Sequence, residues 1–146
     1  MARRAYFCFR YAHVFRVNQI RSMPNIIGCA AAGFADASLW ESAKNNEATI
    51  KRMIDDSLKG TSVTVVCITC GITGRKWINF EIDKSLERGN GLVGIQLHHL
   101  TDPINPDSRV GTDPSQIEAN GYKLYKYTNK DALARHIEEA AKLAGR

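Results

Sequence analysis

The sequence predicts an α/β fold: a five-stranded parallel sheet covered by helices on both faces. Three observations carry this expectation. Strand-like and helix-like segments alternate along the chain, the pattern that strand–helix–strand units produce. The segment at 62–68, Ser-Val-Thr-Val-Val-Cys-Ile, is β-branched and apolar at both parities, as a strand buried on both faces must be. At 146 residues, the chain has the length of a single domain, spanning 1–146, that buries about 70% of its unfolded surface.

Tyr6–Phe9, a short aromatic run after two arginines, reads as the first strand. His13–Ile20 follows as a helix with Val14, Val17 and Ile20 at helical spacing, and Gly33–Ala35 reads as a second strand ending at Asp36. From about Glu47 to Leu58, Ile50, Met53, Ile54 and Leu58 share one face; Asn45 or Asn46 can cap the start and Gly60 can close the end. The doubly buried strand comes next, then a helix over 76–88 closed by Gly89, and a fourth strand at Leu92–Leu97. Residues 101–120 hold three prolines among Asp, Asn and Ser and read as one long loop. Lys123–Tyr127 is the fifth strand, and 131–144 the last helix, with Leu133, Ile137, Ala140 and Ala141 on its buried side. Right-handed crossovers order five such strands as 2-1-3-4-5, a flavodoxin-like three-layer sandwich.

The charge is uneven. Twenty Lys+Arg against fifteen Asp+Glu give a net +5, and residues 1–35 contain Arg3, Arg4, Arg10, Arg16 and Arg21 without one acidic residue. An acid-free arginine-rich start suits an organelle presequence, a nucleic-acid footprint or an anion site. The presequence reading fails because the first strand lies inside it. The nucleic-acid reading lacks an aromatic-interleaved basic patch or a known motif. Strand-end geometry selects Arg10 alone for a pocket and leaves Arg3, Arg4, Arg16 and Arg21 as surface charges. No uncharged apolar run reaches the ~18 residues of a membrane span, so no membrane partner is expected.

Four cysteines, Cys8, Cys29, Cys67 and Cys70, are too sparse for a disulfide scaffold and fit a reducing cytoplasm. Cys67-Ile-Thr-Cys70 lacks the second ligand pair a structural zinc needs and ends a strand instead of opening a helix, so it reads as strand packing. His98 and His99 are adjacent and cannot both face one ion from regular structure. No metal site is expected.

Ligands of such sheets bind beyond the carboxyl ends of the strands, near the switch point. This directs attention to Arg10 and Tyr11 after strand 1, Asp36, Ser38 and Leu39 after strand 2, and 71–81 after strand 3. Arg10 and Cys70 stand where a phospho-receiver needs carboxylates. Arg10-Tyr-Ala-His13 is not a flavin phosphate loop, and neither a dinucleotide glycine motif nor a P-loop is present. One pair remains: Trp77 and Glu81, at i and i+4, share a helix face. A carboxylate beside an indole can sit in a half-apolar pocket, where desolvation favours its neutral form.

Five ordered blocks carry a resemblance over nearly the whole chain: Ala5-Tyr-Phe-Cys-Phe-Arg-Tyr11, Ala32-Gly-Phe-Ala-Asp-Ala-Ser-Leu-Trp-Glu41, Leu58-Lys-Gly-Thr-Ser-Val-Thr-Val-Val66, Arg75-Lys-Trp-Ile-Asn-Phe-Glu-Ile82 and Lys84-Ser-Leu-Glu-Arg-Gly-Asn90. The sequence resembles the TIR domain superfamily, and most closely the TIR-like branch of Thoeris anti-phage defence proteins. That resemblance implies cleavage of the nicotinamide–ribose bond of NAD, with NAD as substrate and no permanently bound cofactor. It implies Glu81 as the catalytic carboxylate of a W-x-x-x-E segment, and Trp77, Arg10, Tyr11, Asp36 and Ser38 as pocket residues, Arg10 toward pyrophosphate. It further implies a cyclic ADP-ribose-type product sensed by a separate effector, and self-association in which the 36–46 loop of a neighbour completes the pocket. Cys8 departs from the serine common in the opening strand, and 101–120 has no recognisable match. The alternative is a TIR-like assembly or partner-binding module without turnover.

Overall fold

In the computed structural model, which describes residues 2–34 and 38–146, five strands form one parallel sheet in the order β2-β1-β3-β4-β5. They are β1 Arg3–Cys8, β2 Ile26–Cys29, β3 Val63–Ile68, β4 Gly91–Gln96 and β5 Lys123–Lys126. A 3-10 turn at Tyr11–His13 leads into α1, Val14–Ile20; the other helices are α2 Ser38–Ala43, α3 Glu47–Leu58, α4 Lys76–Glu87, α5 Ser115–Ala119 and α6 Lys130–Leu143.

The two-residue period of a strand divides β1 between two cores. Ala5 and Phe7, with Phe9 beyond the strand, join Val17 and Ile20 of α1 and Leu133 and Ile137 of α6. Tyr6 and Cys8 join Ile50, Ile54 and Leu58 of α3 and Ile78 and Ile82 of α4 on the opposite face. Every residue of β3 is buried, as its apolar parity requires. The α3 start is capped by Asn46, whose Oδ1 accepts from the Thr49 N–H at 3.1 Å. Gly60 and Gly89 take positive φ beyond α3 and α4, which lets the chain leave each helix and re-enter the sheet.

Three expectations change. The second strand is Ile26–Cys29 and not Gly33–Ala35: Gly33 lies in a turn at φ 73°, and Ala35 lies outside the described residues. Isoleucines at 26 and 27 and the register Arg3↔Ile26 through Tyr6↔Cys29 make the earlier segment the partner of β1. The 101–120 stretch contains α5, and the 36–46 stretch contains α2.

Arg16 is the third correction. It is a core residue with 1% of its surface exposed and not a surface charge. His13, Arg16 and Ile20 share one stripe of α1, and the 100–107 segment closes over it. Arg16 Nε donates to Leu100 O at 3.0 Å and Nη2 to Asp107 O at 2.9 Å, while Nη1 touches His13 Nδ1 and lies 3.7 Å from Asp102 Oδ2. Asp102, 3% exposed, accepts at Oδ1 from the N–H groups of Ile104 and Asn105.

Candidate functional site

At the carboxyl edge of the sheet, where β1 and β3 end, lies a cleft of about 390 Å³. The end of β1 contributes Arg10 and Tyr11, the α2 region Trp40 and Lys44, and the start of α4 Arg75, Lys76 and Trp77. This is the position that strand order dictates for a ligand in a sheet of this topology. Tyr11 is committed to the wall: its hydroxyl accepts the Ala32 N–H at 2.8 Å, and its ring stacks on Trp40 at 4.9 Å and 14°. Trp77 meets Phe80 edge-on at 5.6 Å, and the Lys76 ammonium lies over its ring at 5.0 Å.

The cations of the cleft divide into two kinds. Lys44 is paired with Glu41, and Lys76 with Glu47. Arg10 and Arg75 instead close on the Cys70–Gly71 turn: Arg10 Nη1 donates to Cys70 O at 3.1 Å, and Arg75 Nε to Gly71 O at 2.5 Å. Gly71 has φ 77°, and a Cβ there would stand 3.1 Å from Arg10 Nη1, so the turn needs glycine both for its backbone and for its room. Among the described residues neither guanidinium is paired with a carboxylate. Burial and the neighbouring Arg10 charge lower the Arg75 pKa. Two adjacent guanidinium groups without a carboxylate partner among the described residues have the donor chemistry that suits phosphate oxygens.

Glu81 lies one helical turn inward from Trp77 and is 2% exposed. Its Oε2 accepts the Tyr6 hydroxyl, and its Oε1 is buried without a hydrogen-bond partner among the described residues. Burial is the dominant influence and pushes the carboxyl up to about 8, against the opposing hydrogen bonds from Tyr6 and Cys8. Burial also drives the Tyr6 and Cys8 groups well above their ordinary values, and the Glu81 charge adds to both. Burial therefore favours the neutral form of the resting carboxyl.

The residues expected from sequence are only partly gathered. Arg10, Tyr11 and Trp77 line the cleft, and Glu81 stands behind its floor in the same helix. Ser38 opens α2, is exposed and is not part of the lining. Asp36 lies outside the described residues. Sequence reasoning did not single out Trp40, Lys44 or Tyr6, and it covered Arg75 and Lys76 only as part of the 71–81 stretch. Arg75 and Lys76 directly precede Trp77, so their place on the rim follows from the same helix start. Tyr6 alternates with Cys8 on β1, which puts both on the Glu81 side of the sheet. No group of three or more His, Cys, Asp or Glu side chains able to hold a metal occurs among the described residues. Cys67 and Cys70 are free thiols, the first buried in β3.

The family model for the Thoeris protein ThsB, TIR-like domain, matches residues 6–102. The chain belongs to this ThsB TIR-like family. A relative from Bacillus cereus (strain MSX-D12), named "Putative cyclic ADP-D-ribose synthase ThsB1", is 38% identical over 136 residues, which cover 87% of this chain and 71% of the relative. The matched ThsB segment contains the end of β1 from Tyr6 on, with β3 and α4, and so Tyr6, Arg10, Arg75, Trp77 and Glu81 together; β5 and α6 lie beyond it. No helix among the described residues is long and apolar enough to cross a membrane.

Proposed function

We propose that this ThsB TIR-like protein breaks the nicotinamide–ribose bond of NAD, with Glu81 as the catalytic carboxylate. The observation that carries the reading is a buried carboxyl with one oxygen unpartnered among the described residues, one helical turn from Trp77 of a cleft lined by two indoles and by two arginines without a carboxylate partner among those residues. A dinucleotide has the matching parts: flat rings for Trp40 and Trp77, and a pyrophosphate for Arg10 and Arg75.

The chemistry follows from charge. Nicotinamide leaves with the bonding pair and becomes neutral, while the ribose gains oxocarbenium character. The Glu81 carboxylate, hydrogen-bonded to a ribose hydroxyl, is worth most when that cation develops, so it lowers the barrier and not merely the ground state. A hydroxyl of water then gives ADP-ribose, and a hydroxyl of the substrate itself gives a cyclic ADP-ribose; either attack releases one proton. The relative's name supports the cyclic product. Exclusion of water from the cleft decides between them.

In this reading activity depends on self-association, with the 36–46 segment of a neighbouring copy completing the cleft. The product acts as the signal for a separate effector. The test is mass spectrometry of nucleotides from cells producing the wild type or Glu81→Ala. A nicotinamide-free ADP-ribose species should accumulate with the wild type alone. Equal accumulation with both proteins removes Glu81 from the role. A protein that self-associates and never consumes NAD is an assembly module instead.

A further inference from the structure

Tyr6 lies outside the W-x-x-x-E pattern, yet the geometry makes it the side chain that fixes how Glu81 can work. We infer that Tyr6 is a positioning residue: its phenol holds Oε2 of Glu81 and leaves Oε1 as the single acceptor for a substrate hydroxyl. This rests on the role of Glu81 proposed above and adds to it the residue that sets its orientation and ionisation.

Tyr6 is fully buried in β1, among the apolar side chains that α3 and α4 bring to that face. A phenol in such a layer needs a hydrogen-bond partner, and Glu81 Oε2 is the one its hydroxyl meets. The main chain of Glu81 is held separately. Thr64 Oγ1 donates to Ser85 Oγ at 2.6 Å, and Ser85 Oγ donates to Glu81 O at 2.7 Å, tying this turn of α4 to β3. With backbone and Oε2 both anchored, the carboxyl cannot turn freely, and the buried Oε1 is the oxygen with unused acceptor capacity. A ribose hydroxyl is a donor and suits it.

Among the described residues, the titratable groups that sense the Glu81 charge are Tyr6 and Cys8 from β1, Tyr11 from the strand end and Cys67 from β3, and none of these four is a cation. The Tyr6 hydroxyl is the first counterweight to desolvation and the Cys8 thiol the second, because a bond to the ionised form favours that form. Tyr6→Phe keeps the ring and removes only the donor.

The experiment compares wild type with Tyr6→Phe in two readouts. In the first, nicotinamide release is followed against pH, with kcat and KM resolved. The acid limb should move up by about one pH unit, and kcat near pH 7 should fall about tenfold while KM changes little. In the second, the Glu81 carboxyl stretch is titrated by infrared difference spectroscopy, using Glu81→Gln as the blank. Its midpoint should rise by the same interval. A limb and a midpoint that stay in place, or move down, overturn the role of Tyr6. If the wild type releases no nicotinamide, the proposed activity fails, and the infrared midpoint alone still decides whether Tyr6 governs Glu81.

Discussion

Two carboxyl groups lie equally deep in this protein and live in opposite surroundings. Asp102, 3% exposed, has the buried guanidinium of Arg16 at 3.7 Å and two backbone N–H groups on Oδ1. Glu81, 2% exposed, has a phenol and a thiol for company and no ion pair among the described residues. The first faces a guanidinium and ties the 100–107 segment to α1, although its Oδ2, like Oε1 of Glu81, has no hydrogen-bond partner among the described residues. The second is left in a medium that resists its charge. A fold retains an uncompensated buried carboxyl at a cost to stability, which makes Glu81 the candidate for the role proposed above. Depth alone therefore says little; the partner decides.

This contrast can be broken from either side. Arg16→Ala should have the largest effect, about 3–5 kcal/mol of stability lost, because it strands Asp102 as a buried charge without a cation. Urea unfolding measures it, and Arg16→Ala combined with Asp102→Ala should recover part of the loss. Next comes the pH dependence of stability. The folded pKa of Glu81 is raised from 4.5 to about 8, so between these values the native state binds more protons than the unfolded chain. Its contribution therefore falls as pH rises, by at most about 1.4 kcal/mol per unit. Glu81→Gln should remove that slope and be more stable than wild type at pH 8.

His13 should give a slope of the opposite sign. Burial first, then the charges of Arg16 and Arg10, lower its pKa from 6.5 to about 4. The unfolded chain binds the extra proton in that window, so stability falls as pH drops from 6.5 toward 4. His13→Gln should flatten the acid side and leave the Glu81 slope in view. The smallest effect concerns the anion site. Arg75→Ala should raise the KM for NAD by about tenfold, some 1.4 kcal/mol, with kcat little changed. A kcat loss at unchanged KM would place Arg75 away from the ground-state pyrophosphate.

Local signals made much of this legible. The α3 face of Ile50, Ile54 and Leu58, with Asn46 before it and Gly60 after, defines a helix without help from the rest of the chain. The same holds for the doubly apolar β3 and for Trp77 and Glu81 on one helix. β2 was not legible, because a four-residue edge strand with one buried residue carries almost no periodicity. Arg16 was misread for a different reason. Its hydrogen-bond partners Leu100 and Asp107 stand 84 and 91 positions away, and without them a helix arginine looks like a solvent residue. The Tyr6–Glu81 bond, spanning 75 positions, is hidden in the same way: each residue is visible locally, and only the sheet brings them together. The candidate site thus combines long-range pairing with short-range motifs.

The central claim is that Glu81 is buried without a compensating cation because it serves the cleavage of NAD. The direct measurement is nicotinamide release by purified wild type and Glu81→Gln at high protein concentration, with thermal melting to show that both are folded. Release should fall by about 10²–10³-fold in Glu81→Gln while its melting temperature at pH 8 holds or rises. A folded Glu81→Gln protein that releases nicotinamide as fast as the wild type would contradict it.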